Sequence, residues 1–177
     1  RRQRQMCIRD RYMAKIVEMG AHVIGGCCGT TPEHIMATYD RCKDLKPIPI
    51  VEKDITLVSS YSHAVEIGKV PVIIGERINP TGKKLFKEAL LRHDMDYILG
   101  QALEQISGGA DILDVNVGLP GIDEREMMID TIKSLQAVVD VPLQIDSTIP
   151  EVLEAALRVY NGKPLVNSVN GEEESLN

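Results

Sequence analysis

The stretch Leu113-Asp114-Val115-Asn116-Val117-Gly118 sets the reading of this chain. It closes a segment from Ala110 to Val117 that reads as a strand, with an acid and an amide at its C-terminal end. Helical pattern follows from Asp123 to Val139. The same unit recurs on both sides. Upstream, Val70 to Gly75 reads as a strand, and it runs into Gly75-Glu76-Arg77-Ile78-Asn79-Pro80-Thr81-Gly82. Helical pattern then covers Lys83 to Gly109, with Tyr97, Leu99, Leu103 and Ile106 on its apolar face. Downstream, Pro142 to Ile145 reads as a third strand, followed by Asp146-Ser147-Thr148. Pro150 to Tyr160 reads as a helix, with Pro150 near its start and Gly162 just past its end. Pro164 to Val169, which holds Asn167, is the fourth strand. Strands alternating with helices imply a parallel sheet with right-handed crossovers.

A doubly wound sheet and a barrel both fit this rhythm, and the strand ends help to choose. All four carry acids or amides: Glu76 and Asn79, Asp114 and Asn116, Asp146, and Asn167. In a β/α barrel such ends converge on one mouth. A ring of carboxylates and amides suits a flat ligand rich in donors and acceptors. Asp, Asn and Ser also serve as helix caps and turn residues, which is the competing reading of each one singly. No GxGxxG or GxxxxGK run follows a strand, so a dinucleotide or P-loop fold lacks its main signal. Carboxylates bind hard cations too, but the amides and the lack of histidine at these ends favour an organic ligand.

A second chemical feature lies upstream, in His22-Val23-Ile24-Gly25-Gly26-Cys27-Cys28-Gly29-Thr30-Thr31-Pro32-Glu33-His34. Adjacent side chains of a straight strand point to opposite faces, so neighbouring thiols reach one metal only where the backbone bends. The flanking glycines permit that bend. Ala21 to Ile24 reads as a short buried strand, Thr31 as an N-cap, Pro32 as the first helical residue, and Glu33 to Cys42 as a helix. The pair thus stands at a strand-to-helix junction. A packed cysteine pair without ligand and a redox-active vicinal pair are the alternatives to metal binding. Cys42 reads as a packed thiol on the helix.

Between these regions Lys46-Pro47-Ile48-Pro49-Ile50 is stiff and extended, and Val58-Ser59-Ser60-Tyr61-Ser62-His63 holds no sustained period. Residues 47–68 are therefore expected to be an interdomain linker. Residues 13–46 would end a first domain, and residues 69–177 would form a second. Residues 1–12 are highly basic, include Cys7, and do not continue into the pattern from Met13, so they read as a non-native scar, with a basic arm for an anionic partner as the alternative. The formal net charge of −6, with no Trp and one Phe, argues against a nucleic-acid partner. No apolar run is long enough to span a bilayer, so no membrane partner is expected. Four cysteines without a disulfide-like spacing suit a reducing, cytoplasmic setting.

The cysteine run resembles the end of the homocysteine-binding barrel of zinc-dependent homocysteine methyltransferases. That resemblance implies that Cys27 and Cys28 ligate Zn2+, with a third cysteine from an earlier strand that this chain does not contain. The strand ends of the second region resemble the first four strands of the pterin-binding barrel, shared by methyltetrahydrofolate-dependent methyltransferases and dihydropteroate synthases. Here the resemblance implies that Asp146 and Asn167 bind the pterin edge, and that Glu76, Asn79, Asp114 and Asn116 line the same mouth. The order of the two regions resembles a cobalamin-dependent, methionine-forming methyltransferase family. The implied fold is α/β of the (β/α)8 TIM-barrel type in fragmentary form: the last βα unit of one barrel, a linker, and the first four βα units of a second. The implied activity of the parent enzyme is methyl transfer from 5-methyltetrahydrofolate, through cobalamin on a separate domain or subunit, to zinc-bound homocysteine. No residue of the chain is assigned a catalytic role. Two alternatives stand beside it: part of another methyltetrahydrofolate:corrinoid methyltransferase, or a non-catalytic pterin- or zinc-binding remnant. Four strands cannot close a barrel, so the chain alone is expected to be inactive and aggregation-prone.

Overall fold

The computed structural model describes residues 11–173. Contacts divide the chain into two units, Arg1–Lys53 and Asp54–Asn177. The basic run read as a scar lies outside the described residues up to position 10; Arg11 and Tyr12 are helical.

In the first unit, residues 11–18 form helix α1. Gly20, at φ 109, ends it in the left-handed region. The N–H of Ala21 reaches back to the carbonyl of Ile16 at 3.1 Å and that of Gly20 to Val17 at 2.9 Å, which satisfies two of the last carbonyls. Helix α2 spans Pro32–Cys42, with Thr31 as N-cap and Pro32 at its start, as the sequence predicts. Ala14 and Val17 of α1 and Thr38 of α2 are buried. The strand expected over Ala21 to Ile24 is not formed, and Val23 is 91% exposed. A strand exists only through a pairing partner, and the described residues of this unit hold no other strand.

The second unit opens with a hairpin, β1 (Thr56–Ser59) antiparallel to β2 (Ala64–Ile67). The expected linker therefore carries regular structure in its second half. Its period was illegible because only Val58 is buried in the two strands. Long-range backbone bonds hold the hairpin instead. Ser59 and Lys163 exchange N–H···O bonds of 2.7 and 2.9 Å, and the Tyr160 hydroxyl donates to Ser59 O at 2.9 Å while accepting from Leu143 N at 3.1 Å. The buried Ser60 hydroxyl donates to Asp140 O.

A four-stranded parallel sheet follows: β3 (Ile74–Ile78), β4 (Ile112–Val115), β5 (Leu143–Asp146) and β6 (Leu165–Asn167), in the spatial order β3-β4-β5-β6. Sequence order is preserved, so each crossover steps to the next neighbour. The order never reverses, unlike that of a doubly wound sheet. Right-handed crossovers then place every helix on one face. Helices α3 (Lys84–Leu91), α4 (Met95–Ser107), α5 (Glu124–Val138) and α6 (Pro150–Val159) pack in series along that face. Phe86, Ile98, Leu113, Val115, Met128, Ile132, Leu135 and Ile145 form the core between helices and sheet.

Two boundaries differ from the sequence reading. The first strand of this sheet starts at Ile74, four residues late, and includes Glu76. The single helix expected over Lys83 to Gly109 is two. His93 adopts φ 55, the N–H of Asp94 bonds Ala89 O at 2.8 Å, and that of His93 bonds Leu90 O at 3.1 Å. These bonds end α3, and the Asp94 side chain then caps α4 by accepting the N–H of Tyr97 at 3.1 Å. Apolar periodicity persists through the break because both helices face the same core.

Candidate functional site

The face of the sheet away from the helices carries the polar residues. Parallel register pairs Asp114 with Gln144 and Asp146 with Asn167, so these four side chains share one face. The opposite alternation sends Leu113, Val115, Leu143 and Ile145 into the core. Ile74, Glu76, Asp114, Gln144, Asp146 and Asn167 line a cavity of about 330 Å³. Thus four of the six expected residues, one from each strand, meet at one place.

The other two stand differently. Asn116 sits one step behind: its Nδ2 donates to Asp146 Oδ2 at 2.9 Å, and its Oδ1 accepts the N–H of Gly118 at 3.0 Å. It orients a cavity carboxylate without lining the cavity. Asn79 is not brought to the cavity. It is buried, and its Oδ1 accepts the N–H of Thr81 at 2.9 Å, the turn-forming role that Asn plays before a helix. Gln144, unremarked in the sequence, lines the wall. The signal was present, since Gln144 lies two residues before Asp146 in a strand and must share its face.

Electrostatics make this an acceptor-rich surface. Asp114 is only 2% exposed, and burial pushes its carboxyl from 3.8 up to about 6. Gln144 Nε2, which donates to Asp114 Oδ1, pulls it down; the Asp146 and Glu76 carboxylates push it up; Lys83 lowers it slightly. Lys83 itself is tethered, donating to Glu76 O at 2.8 Å and Arg77 O at 3.3 Å. Gly75 permits the close approach of α4. A side chain there would lie 2.6 Å from Gln105 Oε1, which accepts the N–H of Arg77 at 2.6 Å where the β3–β4 ladder is irregular.

The cysteine pair lies in the first unit. Both thiols are exposed and free, with Sγ atoms 4.0 Å apart. They sit on a turn in which Thr30 N–H bonds Cys27 O and Cys27 N–H bonds Thr30 Oγ1, each at 3.0 Å. Gly29 supplies φ 77, and a Cβ on Gly26 would meet Thr30 Oγ1 at 2.7 Å. The expected backbone bend is therefore built by this turn. A tetrahedral zinc with bonds of about 2.3 Å holds neighbouring sulfurs about 3.8 Å apart, so the pair has the spacing of two vertices. Among the described residues no third His, Cys, Asp or Glu completes a cluster. Cys42 lines a separate apolar cavity with Val17, Ile24 and Ile35, and Cys7 lies outside the described residues. No helix among the described residues is long and apolar enough to cross a membrane.

Comparison with known proteins adds two family matches. Residues 75–177 match the family model described as pterin binding enzyme, and residues 4–42 match that described as homocysteine S-methyltransferase. Methionine synthase of Mycobacterium leprae (strain TN) is 38% identical over 166 residues, covering 89% of this chain and 14% of that protein. Methionine synthase of Mycobacterium tuberculosis (strain ATCC 25618 / H37Rv) is 35% identical over 160 residues, covering 89% of this chain and 13% of that protein. The chain spans about one seventh of the length of these curated relatives.

Proposed function

The chain belongs to the pterin binding enzyme family, and from that premise we propose that its second unit holds the pterin ring of 5-methyltetrahydrofolate in a cobalamin-dependent methionine synthase. The observation that carries the reading is the convergence of Asp114, Gln144, Asp146 and Asn167 on one cavity. A reduced pterin presents an exocyclic amino group and a ring N–H side by side, beside a carbonyl. Asp146 accepts from the adjacent donors in a paired, charge-assisted contact. Asn167 can donate to the carbonyl and accept from a ring N–H. Strands β3–β6 are then the first four of a barrel, with the cavity as a sector of its mouth.

The first unit is the end of the homocysteine-binding barrel, and Cys27 and Cys28 contribute two of its zinc ligands. When bound, zinc favours the thiolate form of a coordinated thiol over the poorly nucleophilic neutral one. Cobalamin, on a domain or subunit outside this chain, supplies methyl-carrying chemistry between the two sites. The residues of this chain hold and orient the two substrates. The proton needed by the departing pterin amine is not assigned to any of them. Exposed free thiols at such a site fit a cytoplasmic setting. Among the described residues β3 and β6 are the outer strands of the sheet, which supports the reading that the chain alone is inactive.

The test is direct titration of methyltetrahydrofolate into the full-length enzyme, wild type and Asp146→Asn. The variant exchanges a charged acceptor for an amide that also presents donors. Binding should weaken by about 1.5–3 kcal/mol, the worth of a hydrogen bond to a charged group. Equal affinity would remove Asp146 from the site.

A further inference from the structure

Asp146 is gripped from two directions. Asn116 Nδ2 donates to its carboxylate at 2.9 Å. Along the chain, the next residue, Ser147, is 3% exposed and fully engaged. Its Oγ donates to Glu124 Oε1 at 2.6 Å and accepts the N–H of Ile149 at 3.2 Å, and its N–H donates to Asn167 O at 3.0 Å. Glu124 is the first residue of α5 and arrives from a different crossover. Position 118 leaves little room for a side chain, since a Cβ there would stand 3.3 Å from Glu124 Oε2 and 3.4 Å from Asn116 Oδ1. Gly118 N–H also donates to Asn116 Oδ1 at 3.0 Å. The bonds run from Glu124 to the Ser147 hydroxyl and from the Ser147 N–H to Asn167 O, and Ser147 directly follows Asp146, the last residue of β5.

Glu124 is not needed to cap α5. Asp123 is the N-cap and already accepts the N–H of Glu126 at 3.0 Å. The favourable charge at the helix start is also supplied by Glu126. What Glu124 alone does is accept the Ser147 hydroxyl, at a length typical of a charge-assisted bond.

We propose that Glu124, acting through Ser147, is a positioning residue that fixes the Asp146 carboxylate and the Asn167 backbone for the pterin edge. A strand-end carboxylate held only by its own rotamer loses conformational freedom when a ligand binds. Fixing it beforehand removes that cost. This inference rests on the pterin reading given above.

The experiment is chemical-shift titration of the 177-residue chain with 5-methyltetrahydrofolate, which reads weak as well as tight binding. The Asn116 side-chain amide and the Asp146 carboxyl carbon are followed in the absence of ligand. Glu124→Ala should weaken binding about tenfold, within the range for losing a bond to a charged group. Ser147→Ala should do the same, and the double variant should lose no more than either one. Glu124→Gln keeps an oxygen for the Ser147 hydroxyl and should recover most of the affinity. Glu126→Ala, which removes the same helix-start charge without touching Ser147, should leave binding near wild type. Unchanged affinity in Glu124→Ala, or fully additive losses, would overturn the proposal. If wild type binds no pterin at this length of chain, the ligand-free signals decide the positioning, and the pterin reading is judged on the full-length enzyme. Displacement of the Asn116 and Asp146 signals in Glu124→Ala but not in Glu126→Ala upholds the positioning role, and no displacement refutes it.

Discussion

Replacing Asp114 by Asn should stabilise the second unit at neutral pH, although it removes a residue of the cavity wall. The folded-state pKa is about 6 against an ordinary 3.8, a rise of about 2.2. The folded chain therefore holds the proton more tightly than the unfolded chain, and stability falls as pH rises between the two values. Below 3.8 the group imposes no cost, and above 6 the full cost is present. At 1.36 kcal/mol for each pH unit, the cost at pH 7 is roughly 3 kcal/mol. Asn keeps an oxygen for the Gln144 Nε2 donor and carries no charge to desolvate or to repel Asp146 and Glu76. The gain at pH 7 should approach this figure and shrink toward zero near pH 4. Urea unfolding followed by circular dichroism at several pH values, in dilute solution, measures it. A variant that is less stable than wild type at pH 7, or whose stability difference does not vary with pH, would refute the reasoning. The same variant should weaken binding of a donor-rich ligand, because stability and function oppose each other where like charges are gathered.

In the complete protein, replacing Cys27 or Cys28 by Ala should remove bound zinc, measured by atomic spectroscopy, and leave pterin titration nearly unchanged; full zinc content in the double variant would exclude the pair as ligands. Gly162→Ala should destabilise the second unit by about 2–4 kcal/mol in urea unfolding, since position 162 has φ 137 and a Cβ there would lie 2.8 Å from Ser60 O and closer still to Ser59 O. A loss below about 1 kcal/mol would mean that the hairpin yields to the added methyl at little cost.

The alternation of apolar runs with helical pattern was legible from Val70 onward because each element carries its own period. A parallel sheet follows from that alternation alone, and so does the placement of acids and amides at successive strand ends. Helix α2 was legible through Thr31 and Pro32, which act within one turn of the chain. These are local signals, and local chemistry writes them into the sequence.

What the sequence did not decide depends on partners distant along the chain. The hairpin at Thr56–Ile67 is held by Tyr160, Lys163 and Asp140, about 80 to 100 residues away, so nothing near it in sequence announces a strand. Ala21 to Ile24 has strand composition without a partner and forms no strand. Asn79 and Asn167 are alike as residue types at strand ends, yet one caps its own turn and the other faces the cavity. The break at His93 is hidden because both helices share one apolar face. Composition and spacing thus determined which residues could meet; register and crossover decided which of them do, because a parallel sheet brings side chains together across helices that local pattern cannot see past.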